Sequence, residues 1–154
     1  MGQRKKTGPG RRPPPALVQA TALWRELRFD EALRYFNRAV REAPNELSVL
    51  IAAGRAFGAR YQMDRSLSLL AKALRLGSRR PDVLHAVGDS YRMLGRSTEA
   101  EACFRQAILL AASPATELEL AKLCERRHAL DEADDLVARV LRAEPRSAGT
   151  LLMR

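Results

Sequence analysis

The sequence predicts an all-α solenoid of about four helix–turn–helix units, and three observations predict it. The first is composition. The 154 residues are rich in Ala, Leu and Arg, with only 5% aromatics, which suits a thin continuous core better than one spherical core. The second is helical periodicity, broken at short intervals from about Pro14 onward. The third is an internal repeat. Steps of 34, 34 and 33 residues join Ala32, Ser66, Ala100 and Ala133, and likewise Phe36, Leu70, Phe104 and Val137. They also join Ala39, Ala73, Ala107 and Val140, and Val40, Leu74, Ile108 and Leu141. Two further series precede these: Ala20, Gly54, Gly88 and Ala121, and Leu23, Phe57, Tyr91 and Cys124. Every member is small or apolar.

The elements follow in order. Residues 1–13 are basic and rich in Gly and Pro, cannot bury a core, and are expected to form a disordered arm. Pro13, Pro14 and Pro15 then give a stiff entry to the first helix, where a missing N–H costs nothing. The repeat domain is expected over 14–147. Its first unit (about 14–46) places Ala20 and Leu23 on one helix and Ala32, Phe36 and Ala39 on the next, stopped by Pro44. The second unit (47–80) repeats this with Leu50, Gly54, Phe57, Ser66 and Leu70, and the third (81–113) with Leu84, Gly88, Tyr91, Ala100 and Phe104. The third is one residue shorter, near Ser113–Pro114. The fourth (114–147) keeps Ala121, Cys124 and Ala133 but has Glu117 where Leu50 and Leu84 predict an apolar residue.

Small residues at Ala20, Gly54, Gly88 and Ala121 allow two helix backbones to approach, and the larger series fill the space beside that contact. Acidic residues open the second helix of each unit: Asp30 and Glu31, Asp64, Glu99, Asp131 and Glu132. There they favour the positive end of the helix dipole. Residues 148–154 begin a fifth first-helix and stop; Leu151, Leu152 and Met153 make self-association through this end one expectation.

In the third unit, "GDSYRMLGRSTEAEACFRQAI" resembles the tetratricopeptide repeat through Gly88, Tyr91, Gly95, Ala100, Phe104 and Ala107. The likeness extends over about 14–147, although the usual Trp of the first helix is absent; Trp24 stands one place past Leu23. The resemblance implies a right-handed solenoid whose first helices line a concave groove holding a peptide or a partner's helix. Some members clamp a peptide carboxylate with Lys and Asn. The corresponding positions here are Leu17, Thr21, Ala52, Asp82 and Ala86, so that clamp is not implied.

Net charge is +9, unevenly placed: +11 over residues 1–80 and −2 over 81–154. Arg4, Lys5, Lys6, Arg11 and Arg12 concentrate charge in the arm, which reads either as a solvated tail or as a contact for nucleic acid or an anionic surface. Cys103 and Cys124 form no CxxC pair and, with His85 and His128, match no zinc spacing, so no metal and no cofactor are expected. Both read as core thiols of a reducing compartment. No apolar run is long enough to span a bilayer, and the N-terminus lacks a secretory apolar region. A cytoplasmic protein is expected.

No catalytic constellation emerges. Pairs such as Asp30–Glu31 and Asp134–Asp135 lie at helix starts or on solvated faces, and neither His has a nucleophile at a recognisable spacing. "PRSAGTLL", Pro145–Leu152, resembles the phosphate-binding loop of bacterial sulfotransferases, but it follows a helix instead of a strand. The expectation is therefore a non-catalytic scaffold for protein partners. Helical spacing puts Leu17, Thr21, Trp24, Ile51, Arg55, His85, Asp89, Arg92, Leu118, Lys122 and Glu125 on the groove face. Trp24 reads equally as an aromatic anchor or as a residue packed beneath the arm. Two alternatives stand beside this: the repeat-bearing N-terminal piece of a transferase such as a sulfotransferase, and a nucleic-acid or membrane-surface binder acting through the arm.

Overall fold

The structure is a computed structural model that describes residues 12–144. Most of the expected arm, the start of a fifth first-helix and the loop-like Pro145–Leu152 stretch lie outside the described residues. Within them the chain forms eight α-helices and nothing else regular. α1 (Pro15–Arg25) pairs with α2 (Phe29–Glu42), α3 (Leu47–Ala59) with α4 (Met63–Leu76), α5 (Pro81–Met93) with α6 (Ser97–Leu110), and α7 (Pro114–Arg126) with α8 (Leu130–Ala143). Each second helix then packs on the first helix of the next pair. This is a solenoid of helix pairs, as the repeat predicts. The connection from α6 to α7 is Ala111–Ser113, one residue shorter than 43–46 or 77–80, which is where the 33-residue step arises.

Why each pair turns at the same place is visible in the backbone. Leu27, Tyr61, Gly95 and His128 all take a positive φ, of 62°, 62°, 75° and 61°. They are one repeat apart. At each, the residue itself donates its N–H three residues back and the next residue donates five back: Leu27 to Trp24 and Arg28 to Leu23, through to His128 to Glu125 and Ala129 to Cys124. This is the Schellman end of a helix, which satisfies carbonyls that would otherwise lack partners. Only one of the four is the Gly that such a position favours. His128 is thereby a turn residue.

The small series is a contact of backbones. A Cβ on Gly88 would lie 2.8 Å from Phe104 Cε1 and 3.1 Å from Cys103 Cβ; one on Gly54 would lie 2.9 Å from Leu70. The facing residues Ala32, Ala100 and Ala133 are buried, and buried Ser66 donates its hydroxyl to the Gly54 carbonyl at 2.6 Å. Two apolar clusters result. Leu17, Leu23, Phe36, Val49 and Phe57 belong to the first. Leu50, Leu70, Tyr91, Phe104, Leu120 and Leu136 belong to the second, and Leu69 packs against both. Among the first helices, α3 and α5 also contact each other directly.

Candidate functional site on the first-helix face

On the first-helix side, polar side chains of three units join into one chain of hydrogen bonds and ion pairs. Arg55 of α3 reaches α5, where its Nε donates to Ser90 Oγ at 2.7 Å and its Nη2 to the Ala86 carbonyl at 3.0 Å and Asp89 Oδ2 at 3.3 Å. The other Asp89 oxygen takes Arg92 Nη2 at 2.6 Å. Arg92 Nε lies 3.3 Å from Glu119 of α7, and Glu119 receives Lys122 Nζ at 2.7 Å. The order is Arg55, Asp89, Arg92, Glu119, Lys122, alternating in sign across α3, α5 and α7. The bond to Asp89 holds Arg92 above its usual range, so the guanidinium stays charged. Beside this chain, His85 Nδ1 meets Thr116 Oγ1 at 2.9 Å, and its ring tilts over Phe104 with centroids 5.6 Å apart.

The predicted face is thus divided. Arg55, His85, Asp89, Arg92 and Lys122 come together in these bonds. Ile51 is half-buried against the core, Leu118 is half-buried, and Glu125 is exposed. Leu17 is buried in the first cluster, and the Thr21 hydroxyl donates to the Leu17 carbonyl one turn back at 2.9 Å. Trp24 makes edge contacts with Phe29 and Phe36, at 4.8 and 6.1 Å between centroids. Its ring is therefore engaged with α2.

Sequence reasoning missed Ser90, Thr116 and Glu119. The repeat held a signal for each. Ser90 interrupts the column Ala56, Ser90, Leu123; Thr116 interrupts Val49, Val83, Thr116; Glu119 interrupts Ala52, Ala86, Glu119. A polar residue in an otherwise apolar or small column marks a position with its own hydrogen-bonding task. Among the described residues, no cluster of three or more His, Cys, Asp or Glu could hold a metal ion, and both cysteines are buried and free. No helix among them is long and apolar enough to cross a membrane.

The tetratricopeptide repeat profile matches residues 81–114, the third unit. The chain carries a tetratricopeptide repeat there, within a tetratricopeptide-like solenoid of helix pairs. Solved structures resemble it over most of its length. MamA of MSR-1 superposes with a TM-score of 0.67 at 22% identity, covering 86% of this chain and 76% of that one. MamA from residue 41 to its end, from Desulfovibrio magneticus RS-1, gives 0.70 at 16%, covering 87% and 76%. A tetratricopeptide repeat protein from Parabacteroides merdae ATCC 43184 gives 0.70 at 19%, covering 85% of this chain but 52% of that one. No curated protein matches the chain. At these identities the likeness is one of fold; tetratricopeptide repeats generally mediate contacts between proteins.

Proposed function

We propose that this chain is a non-catalytic scaffold whose concave first-helix face receives a peptide or helix of a partner protein. One observation carries the reading: the bonded chain from Arg55 to Lys122 fixes five polar side chains of three units in place while leaving them reachable from solvent. Their side chains remain 21–61% exposed. A partner meeting such a face finds donors and acceptors already ordered, and the entropy of fixing them is not charged to binding. Leu118, Glu125 and the outer part of Lys122 supply apolar contact and charge beside the ordered groups. The four units are taken as 14–46, 47–80, 81–113 and 114–147. Two free buried thiols fit a cytoplasmic, reducing location.

A peptide array probed with the wild-type chain and with Arg55→Ala, Arg92→Ala and Lys122→Ala tests this. Binding to the selected peptides should fall by about tenfold for each charge-assisted hydrogen bond lost. If no peptide's binding depends on any of the three, the reading is wrong.

A further inference from the structure

Two open clefts lie on the opposite, second-helix side, and they occupy the same place in successive units. One, of about 370 Å3, opens between α4 and α6 over Leu84 and Tyr91 of α5. The other, of about 600 Å3, opens between α6 and α8 over Leu120 of α7. The repeat step carries Leu74, Ala102 and Gln106 of the first cleft onto Ile108, Asp135 and Arg139 of the second. Both floors are apolar, but the charges differ. In the first cleft the single ionised group is Glu99, already bonded by Arg96.

The second cleft carries three guanidinium groups. Arg105 is held between two carboxylates, Glu101 at 2.7 Å and Glu132 at 2.5 Å. Among the described residues, Arg139 meets Glu117 through Nε alone, at 3.3 Å, and Arg142 donates only to the Ala138 carbonyl, at 3.2 Å. Each guanidinium has five N–H donors, so Arg139 and Arg142 keep most of theirs open. The remaining carboxylate of the lining, Asp135, lies one helical turn from Arg139, without an ion pair to it within the 4 Å of such a contact among the described residues, and seven residues from Arg142, about 10 Å along the α8 axis. On the rim, Leu109 is 80% exposed, at the position where the other units have Arg41, Arg75 and Arg142. The regular row of cations is thus replaced by an apolar side chain just where the cleft opens.

We infer that the two clefts form a second docking track, for a peptide segment that places an apolar side chain in each cleft and a carboxylate against Arg139 and Arg142. The pairing of equivalent clefts one repeat apart fits a segment with apolar residues at intervals better than one compact ligand. Open guanidinium donors select an acidic segment over a basic one. The track does not depend on the first-helix face.

The test selects a display library of random peptides, about twelve residues long, on the full chain at roughly physiological ionic strength. Peptides so obtained are measured by fluorescence anisotropy against wild type, Leu109→Asp, Arg142→Glu and, on the other face, Lys122→Ala. Leu109 and Arg142 are both exposed, so their variants keep the fold, which far-UV circular dichroism checks. Enriched peptides should combine apolar residues with a carboxylate. They should lose about tenfold or more in affinity toward Leu109→Asp and Arg142→Glu and none toward Lys122→Ala. No enrichment over a chain-free surface, enriched peptides without carboxylates, or affinities unchanged by both cleft variants would overturn the inference. Peptides that respond to Lys122→Ala alone would overturn it while supporting the first-helix groove.

Discussion

The Glu117 carboxylate is buried in the first turns of α7 and meets Arg139 Nε of α8 at 3.3 Å. Its side chain is 7% exposed and that of Arg139 is 49% exposed. Leu50 and Leu84 fill the same place in the second and third units. Arg139→Ala leaves a buried charge without its cation and should destabilise the chain by about 1–3 kcal/mol, below the cost for a fully buried pair because Arg139 is half in water. Glu117→Leu should be neutral or stabilising, and adding it to Arg139→Ala should recover most of the loss. Urea unfolding of the two single variants and the double variant checks this; an Arg139→Ala loss that persists in the double variant would show that the pair is not its cause.

The four turns differ in how well their residues suit a left-handed backbone. A Cβ on Gly95 would meet nothing within 4 Å, so Gly95→Ala isolates the conformational cost and should lose about 1 kcal/mol. Leu27 and Tyr61 adopt the same conformation with side chains that are 73% and 88% exposed. Leu27→Gly and Tyr61→Gly should each gain about 0.5 kcal/mol, since relief of the left-handed strain outweighs the added freedom of the unfolded chain. Thermal melts should rank Tyr61→Gly above wild type and Gly95→Ala below it.

Acid should unfold the chain partly through the α6–α8 contact. The Arg105 hydrogen bond holds Glu132 below the usual carboxylate range. The folded value is depressed, so the stabilisation is complete above the unfolded value of about 4.3 and is lost as pH falls below it. Glu31 and Asp82 shift the same way, each through its arginine neighbour. Glu132→Gln should therefore make the stability curve shallower between about pH 5 and pH 3 without removing its fall. Urea midpoints measured across that range would show it, and an unchanged slope would contradict it.

The thiols should be inert in the folded chain. Burial pushes Cys103 up to about 11 and raises Cys124 as well, so both remain protonated at neutral pH. A thiol-specific reagent at neutral pH should label neither in buffer and both in denaturant. Rapid labelling of Cys103 in buffer would mean that the α4–α6 cleft opens wider than its 4% exposure indicates.

Much of this fold is written in one-dimensional form, because a solenoid stacks each unit only on its neighbours. A residue's role then recurs at a fixed step, and Gly88 facing Phe104 can be read from Ala20, Gly54 and Ala121 without coordinates. The acidic helix starts and the short third unit are legible for the same reason. The turns were harder to read. Leu27, Tyr61, Gly95 and His128 share no side-chain chemistry, only a backbone angle, so no column of like residues marks the turn position.

The candidate site was legible in its members and not in their partners. Spacing placed Arg55, Asp89, Arg92 and Lys122 on one face, since the periodicity within each helix and the repeat between units set that. Whether Arg55 bonds to Ser90, or Arg92 to Glu119, depends on the offset between α3, α5 and α7, which only packing fixes. Packing likewise turned Trp24 toward Phe29 and Phe36 and put Leu17 in the core. The sequence alone determined the units, their order and the columns that stack them, because local helix periodicity and a strict repeat suffice for that. Only the tertiary structure decided which polar side chains are spent on one another, where two clefts open behind the groove, and that Glu117 is buried against Arg139, because each depends on distances between helices that no single helix contains.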